Sequence, residues 1–115
     1  MAKFMFLLQE SPTLFQGMSP EEIQAILQKY FDWRARLERE KRFVSGYKLA
    51  SGGRGLRREG EKLMVQDGPF GESKEIVGGL LIVEAEDYDH AVELARDSPH
   101  FDNGWIEIRR IEAGG

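Results

Sequence analysis

Leu80-Leu81-Ile82-Val83, held between Gly79 and Glu84, restricts the fold of this chain more than any other segment. Four consecutive apolar residues leave no polar side, so the segment reads as a strand covered on both faces. One cover is easy to find. Ser19-Pro20-Glu21-Glu22 is a strong helix start: Ser19 can cap, Pro20 suits the first helical position, and Glu22 completes a capping box. Ile23, Ile26, Leu27, Tyr30, Phe31 and Leu37 then recur at three-and-four spacing, so a helix running to about residue 41 presents one apolar face to a sheet. A second helix is predicted over residues 87–97, with Tyr88, Ala91, Val92, Leu94 and Ala95 inward and Ser98-Pro99 as its stop.

Further strands are predicted over residues 3–8, 43–50 and 105–111, and a hairpin over 56–66 that turns at Glu59-Gly60-Glu61. The order is strand, helix, strand, inserted hairpin, strand, helix, strand. Two β-α-β units burying helices on one sheet give a ferredoxin-like α+β sandwich in a single domain, residues 1–115. The helices hide one sheet face. The other is expected to close against a second copy of the chain, as a homodimer.

The 115 residues are 41% hydrophobic and 31% charged, which suits an ordered globular domain. A net charge of -4 argues against nucleic acid as a partner, since phosphate binding needs basic surface. The basic stretch from Arg34 to Arg42 is interleaved with Glu38 and Glu40 and reads as a solvated, ion-paired face. No apolar segment is long enough to span a membrane and no targeting segment is evident, so a cytoplasmic location is expected. There is no cysteine and there are only two histidines, which removes thiol chemistry and makes a metal site an unlikely expectation; no cofactor motif is present either.

The densest cluster of ionisable groups precedes the apolar strand: Asp67-Gly68-Pro69-Phe70-Gly71-Glu72-Ser73-Lys74-Glu75. Gly68-Pro69-Phe70-Gly71 fits a type I turn. Asp67 either holds the turn amides as an Asx turn or serves a ligand as base or acceptor. Lys74 can bind an anion or be a solvated surface lysine. Gly78-Gly79 permits a bulge or a close backbone approach. His100, beyond the second helix, either projects into a cleft at the sheet edge or stacks on Phe101 or Trp105. His90 lies within that helix and carries little functional weight.

Asp67-Gly68-Pro69-Phe70, Glu72-Ser73-Lys74-Glu75, Gly78-Gly79, Ser98-Pro99-His100-Phe101 and Trp105-Ile106-Glu107-Ile108-Arg109 together resemble the YCII-related (YciI-like) DGPF domain family. The resemblance extends over nearly the whole chain, including the amino-terminal strand and a first helix carrying Trp33. It implies a dimeric α/β barrel of ferredoxin-like subunits. For function it implies a pocket with a His/Asp pair, carried here by His100 and Asp67, with Gly68, Phe70, Lys74 and Trp33 as ligand-binding candidates. Such a pair would shuttle a proton in hydrolase, lyase or isomerase chemistry on an unknown small molecule. The alternative it implies is a non-enzymatic regulator linked to transcription initiation through a sigma factor or similar protein partner. That reading expects an exposed apolar patch and no closed pocket.

Overall fold

The computed structural model describes residues 1–68 and 75–113. In chain order it contains β1 (Ala2–Glu10), α1 (Pro20–Arg39), β2 (Phe43–Lys48), β3 (Arg54–Glu59), β4 (Lys62–Asp67), β5 (Ile76–Ala85), α2 (Tyr88–Ala95) and β6 (Gly104–Arg110). A short 3-10 helix, Pro99–Asp102, precedes β6. Four strands form an antiparallel sheet in the order β2-β5-β1-β6, and β3 and β4 form a separate two-stranded ribbon. This arrangement is consistent with the ferredoxin-like fold predicted from the sequence, with the apolar run in the inner strand β5.

Alternation along the inner strands separates the two faces of the sheet. Phe4, Phe6 and Leu8 of β1 lie opposite Val83, Leu81 and Gly79 of β5 and point towards the helices. There they meet Trp33 and Leu37 of α1 and Ala91, Leu94 and Ala95 of α2. Phe6 and Trp33 stack with ring centroids 6.2 Å apart, and Phe4 meets the Tyr88 ring edge-on at 4.9 Å. Removing a ring from such a core costs about 3–5 kcal/mol.

Both helix starts are fixed by local hydrogen bonds. Ser19 accepts from the Glu22 amide at 3.1 Å and the Ser19 amide donates back to the Glu22 carboxylate at 3.3 Å, completing the predicted capping box. In α2, Asp87 accepts from the His90 amide at 2.8 Å while the His90 ring accepts from the Glu86 amide at 3.0 Å, so His90 is part of a cap.

Three residues expected to face inward are exposed. Phe31 is 57% exposed and Trp33 buried, because Trp33 and Leu37, four residues apart, define the inward stripe of α1. Tyr88 and Val92 are also largely exposed. Tyr88 opens α2 at its edge, laying its ring against Phe4 while its hydroxyl accepts from the Arg110 amide at 2.9 Å.

Met5 and Leu7 of β1 and Leu80 and Ile82 of β5 alternate onto the opposite face, where no described helix lies. The ribbon is the other exposed apolar feature. Leu56 pairs across it with Val65, and both are more than half exposed, as is Leu63. It projects from the body, and the radius of gyration is accordingly 16.2 Å, against about 13 Å for a compact chain of this length.

Candidate functional site

A cavity of about 180 Å³ lies between α1 and the sheet, beside the ends of β1, β2 and β5. Its floor is Leu8, Gly46, Gly79 and Leu81, and Tyr30, Phe31, Trp33 and Phe43 supply aromatic walls. Glycine at three sheet positions shapes it. A Cβ on Gly46 would come within 3.2 Å of the Phe43 ring, and one on Gly79 within 2.9 Å of the Tyr47 carbonyl oxygen. At Gly78 a Cβ would fall on the Glu10 carboxylate itself. Gly78 is also where the β1–β5 register slips: Leu8 faces Gly79 and Gln9 faces Val77. The predicted glycine-pair bulge is therefore present, and it gives Glu10 room to lie across the sheet.

Glu10 is the residue that sequence reasoning missed. Its carboxylate lines the cavity and forms neither a hydrogen bond nor an ion pair among the described residues. Two signals in the sequence pointed at it: Glu10 ends an apolar strand, and a glycine pair must make room for something. What the sequence lacked was the register that brings them together.

Two cations frame the same space. The Lys48 ammonium lies 4.9 Å from the centroid of the Phe15 ring, and the Arg34 guanidinium lies 4.4 Å from that of Phe43. Arg34 also pairs with Glu38 at 2.9 Å one turn along α1. Lys48 has no carboxylate partner among the described residues.

Tyr30 is held from behind by a directed network. His100 is fully buried, with Nε2 2.7 Å from the Gln9 carbonyl oxygen and Nδ1 2.7 Å from the Tyr30 hydroxyl. A carbonyl can only accept, so Nε2 carries the hydrogen; in the neutral ring Nδ1 is then the acceptor and the Tyr30 O–H the donor. Asn103 donates to the same hydroxyl at 3.0 Å. That leaves the Tyr30 oxygen one acceptor lone pair. Burial pushes the Tyr30 phenol above its ordinary pKa, opposed by the Asn103 hydrogen bond and reinforced by the nearby charges of Glu10 and Asp102. The phenol thus stays protonated, as donation to His100 requires. Gly104 makes the network possible: a Cβ there would sit 1.9 Å from the Gln9 oxygen and 3.1 Å from His100 Nε2.

The residues expected from the sequence fall in different places. Trp33 lines the cavity and anchors its indole N–H on the Leu94 carbonyl at 3.2 Å. His100 stands behind Tyr30 and does not line the cavity; its ring contact is Tyr30, not Phe101 or Trp105, which are both exposed. Asp67 ends β4 with its side chain 90% exposed and pairs with Arg54 at 3.2 Å. Asp67 and His100 form no hydrogen bond with each other, since each is engaged elsewhere. Gly68 has a φ of 77°, and its amide donates to the Gly53 carbonyl at 3.2 Å, closing the base of the ribbon. Phe70 and Lys74, with the predicted turn at Pro69, lie outside the described residues. Among the described residues no group of three or more His, Asp or Glu could hold a metal ion, and no helix is long and apolar enough to cross a membrane.

Fold and site together define an α+β domain with a lateral, aromatic-walled cavity under its first helix. The chain belongs to the YCII-related domain family, whose sequence model matches residues 2–113. No curated protein sequence matches it. Among solved structures it is similar to 5-chloro-2-hydroxyhydroquinone dehydrochlorinase from Burkholderia phenoliruptrix AC1100, determined in complex with 2,5-dihydroxybenzoquinone. The two are 19% identical, with a TM-score of 0.48, over 97% of this chain and 95% of that one.

Proposed function

We propose that this protein binds a small molecule in the cavity under α1 and transfers a proton there, with Glu10 as the acceptor. The observation that carries this reading is a carboxylate with no partner among the described residues, lying in an aromatic-walled cavity. Tyr30 fixes the ligand by accepting a hydrogen bond on its free lone pair. His100 is a positioning residue in this reading: it orients the Tyr30 hydroxyl and keeps its proton pointed away from the cavity. The Asp67–His100 pairing expected from the sequence would need a rearrangement that frees both side chains from their present partners.

A second copy of the chain completes the molecule by covering Met5, Leu7, Leu80 and Ile82, giving the homodimeric barrel. These side chains are already half-buried in the single chain, so covering them adds only part of the about 1.5–3 kcal/mol that full burial of each from water contributes. The regulator of transcription initiation is the weaker reading, because a contact surface gives no use to the charged and aromatic side chains gathered in the cavity under α1.

The test is a fragment screen read by amide chemical shifts. Perturbations clustered on the end of β1, on α1 near Tyr30 and Trp33, and at Gly78-Gly79 are the expected result. Glu10→Gln should leave fragment binding in place while abolishing any proton exchange from a bound carbon or oxygen acid. Shifts confined to residues 54–67 would overturn the proposal.

A further inference from the structure

We infer that the ligand of this cavity is a small planar aromatic acid, bound as its anion with the charged end at Lys48; this rests on the cavity being the ligand site. Shape supplies the first half of the argument. A cavity of about 150 Å³ accommodates benzene, so 180 Å³ admits one ring with a small substituent. The walls contributed by Tyr30, Trp33 and Phe43 favour a flat, polarisable guest that can stack or meet them edge-on.

Charge supplies the second half. Aromatic faces ordinarily attract cations, but two ring faces here are already taken by the protein's own cations, Phe15 by Lys48 and Phe43 by Arg34. Arg34 is further neutralised by Glu38, whereas among the described residues Lys48 has only the Phe15 ring. An exposed cation–ring contact is a weak hold, and an anion offers the ammonium a charge-assisted hydrogen bond in its place. Lys48 also stands where an anion would enter. Glu10, Phe15, Lys48 and Gly78 line both this cavity and a second groove formed with the loop at residues 12–16. The Phe15–Lys48 contact thus lies at the junction of two spaces that meet over Gly78. A carboxylate seated on the Lys48 side of that junction, clear of the Glu10 carboxylate over Gly78, takes Lys48 from Phe15, and its ring extends between α1 and the sheet towards Trp33. Glu10, the cavity's other charge without a partner among the described residues, remains beside the ring substituents, where a neutral acidic hydrogen is tolerated and a second anion is not.

The experiment compares benzoate, benzyl alcohol and benzylamine, which share a ring and differ in charge, by titration of the intact protein followed through amide shifts and tryptophan fluorescence. Benzoate should bind about tenfold or more tightly than the alcohol, the worth of one charge-assisted hydrogen bond, with shifts at Phe15 and Lys48. Lys48→Gln, at an exposed strand end, should fold as wild type, lose that preference and retain alcohol binding. Benzylamine binding as tightly as benzoate, or an acid preference unchanged in Lys48→Gln, overturns the ligand class while leaving the cavity as a binding site. Failure of all three probes to perturb residues around the cavity would overturn both.

Discussion

His100 and Asp67 are the catalytic pair expected from the sequence, and their surroundings differ as much as two polar side chains in one domain can. Around His100 both ring nitrogens have partners, exposure is zero, and Tyr30, Asn103, Gln9 and Gly104 interlock. Asp67 stands at the base of a projecting ribbon with its carboxylate in solvent and an exposed Arg54 beside it. The first arrangement is costly to disturb because each partner left behind would be a buried, unsatisfied polar atom. The second is cheap, because water replaces either partner. The Asp67 turn therefore marks the chain's family, while the histidine of the short 3-10 helix marks the support of its cavity.

The sharpest way to break that contrast is Gly104→Ala. The new methyl group would collide with backbone, not with a movable side chain, so β1 and β6 must separate locally and the His100–Gln9 bond must open. The expected loss is about 4 kcal/mol or more, or failure to fold, read by urea denaturation. A near-neutral result would show that the network has slack and that His100 is not its anchor. His100→Ala comes next, at about 3 kcal/mol, combining a cavity with a stranded Tyr30 donor.

Tyr30→Phe is smaller, about 1–2 kcal/mol, and it carries a pH signature. The folded-state pKa of Tyr30 is raised by burial, so its contribution is fully present below the ordinary phenol pKa and is lost as pH rises through the folded value. Melting temperature in wild type should therefore fall more steeply at alkaline pH than in Tyr30→Phe. Parallel curves would mean that the phenol is not held as the hydrogen bonds imply. Gly78→Ala probes the cavity itself. Its methyl group meets the end of a flexible glutamate, so Glu10 swings away; the gain of Ala over Gly in a strand, about 0.5–1 kcal/mol, offsets that cost, and stability stays within about 1 kcal/mol of wild type while fragment shifts near Gly78 change strongly.

What could be read in advance follows the range of the interactions concerned. The capped helix at Ser19, the ribbon turn at Gly60 and the inner strand around Leu81 are set by neighbours within a few residues, and the strand order followed from their succession. The Gly78-Gly79 bulge was legible as a backbone opportunity but not as a seat for Glu10, which is 68 positions away in the chain and meets it only through the register of β1 on β5. Tyr30 and His100, separated by 70 positions, were hidden for the same reason. Periodicity assigned Tyr30 to a packing face, and nothing local distinguishes a packed tyrosine from one whose hydroxyl is aimed by a histidine.

Asp67→Asn is the smallest expected effect and the most direct test of how the ribbon differs from the body. With Asp67 and Arg54 both largely exposed, losing their ion pair should change stability by no more than about 0.5 kcal/mol, and that remainder should vanish in high salt. The urea midpoint should stay near wild type, and so should fragment binding under α1. A loss comparable to Tyr30→Phe, insensitive to salt, would mean that the ribbon is buried against a second copy in solution and that Asp67 is desolvated there. Concentration dependence of the same midpoint would distinguish that outcome from local strain at Gly68, because only an interface between copies answers to mass action.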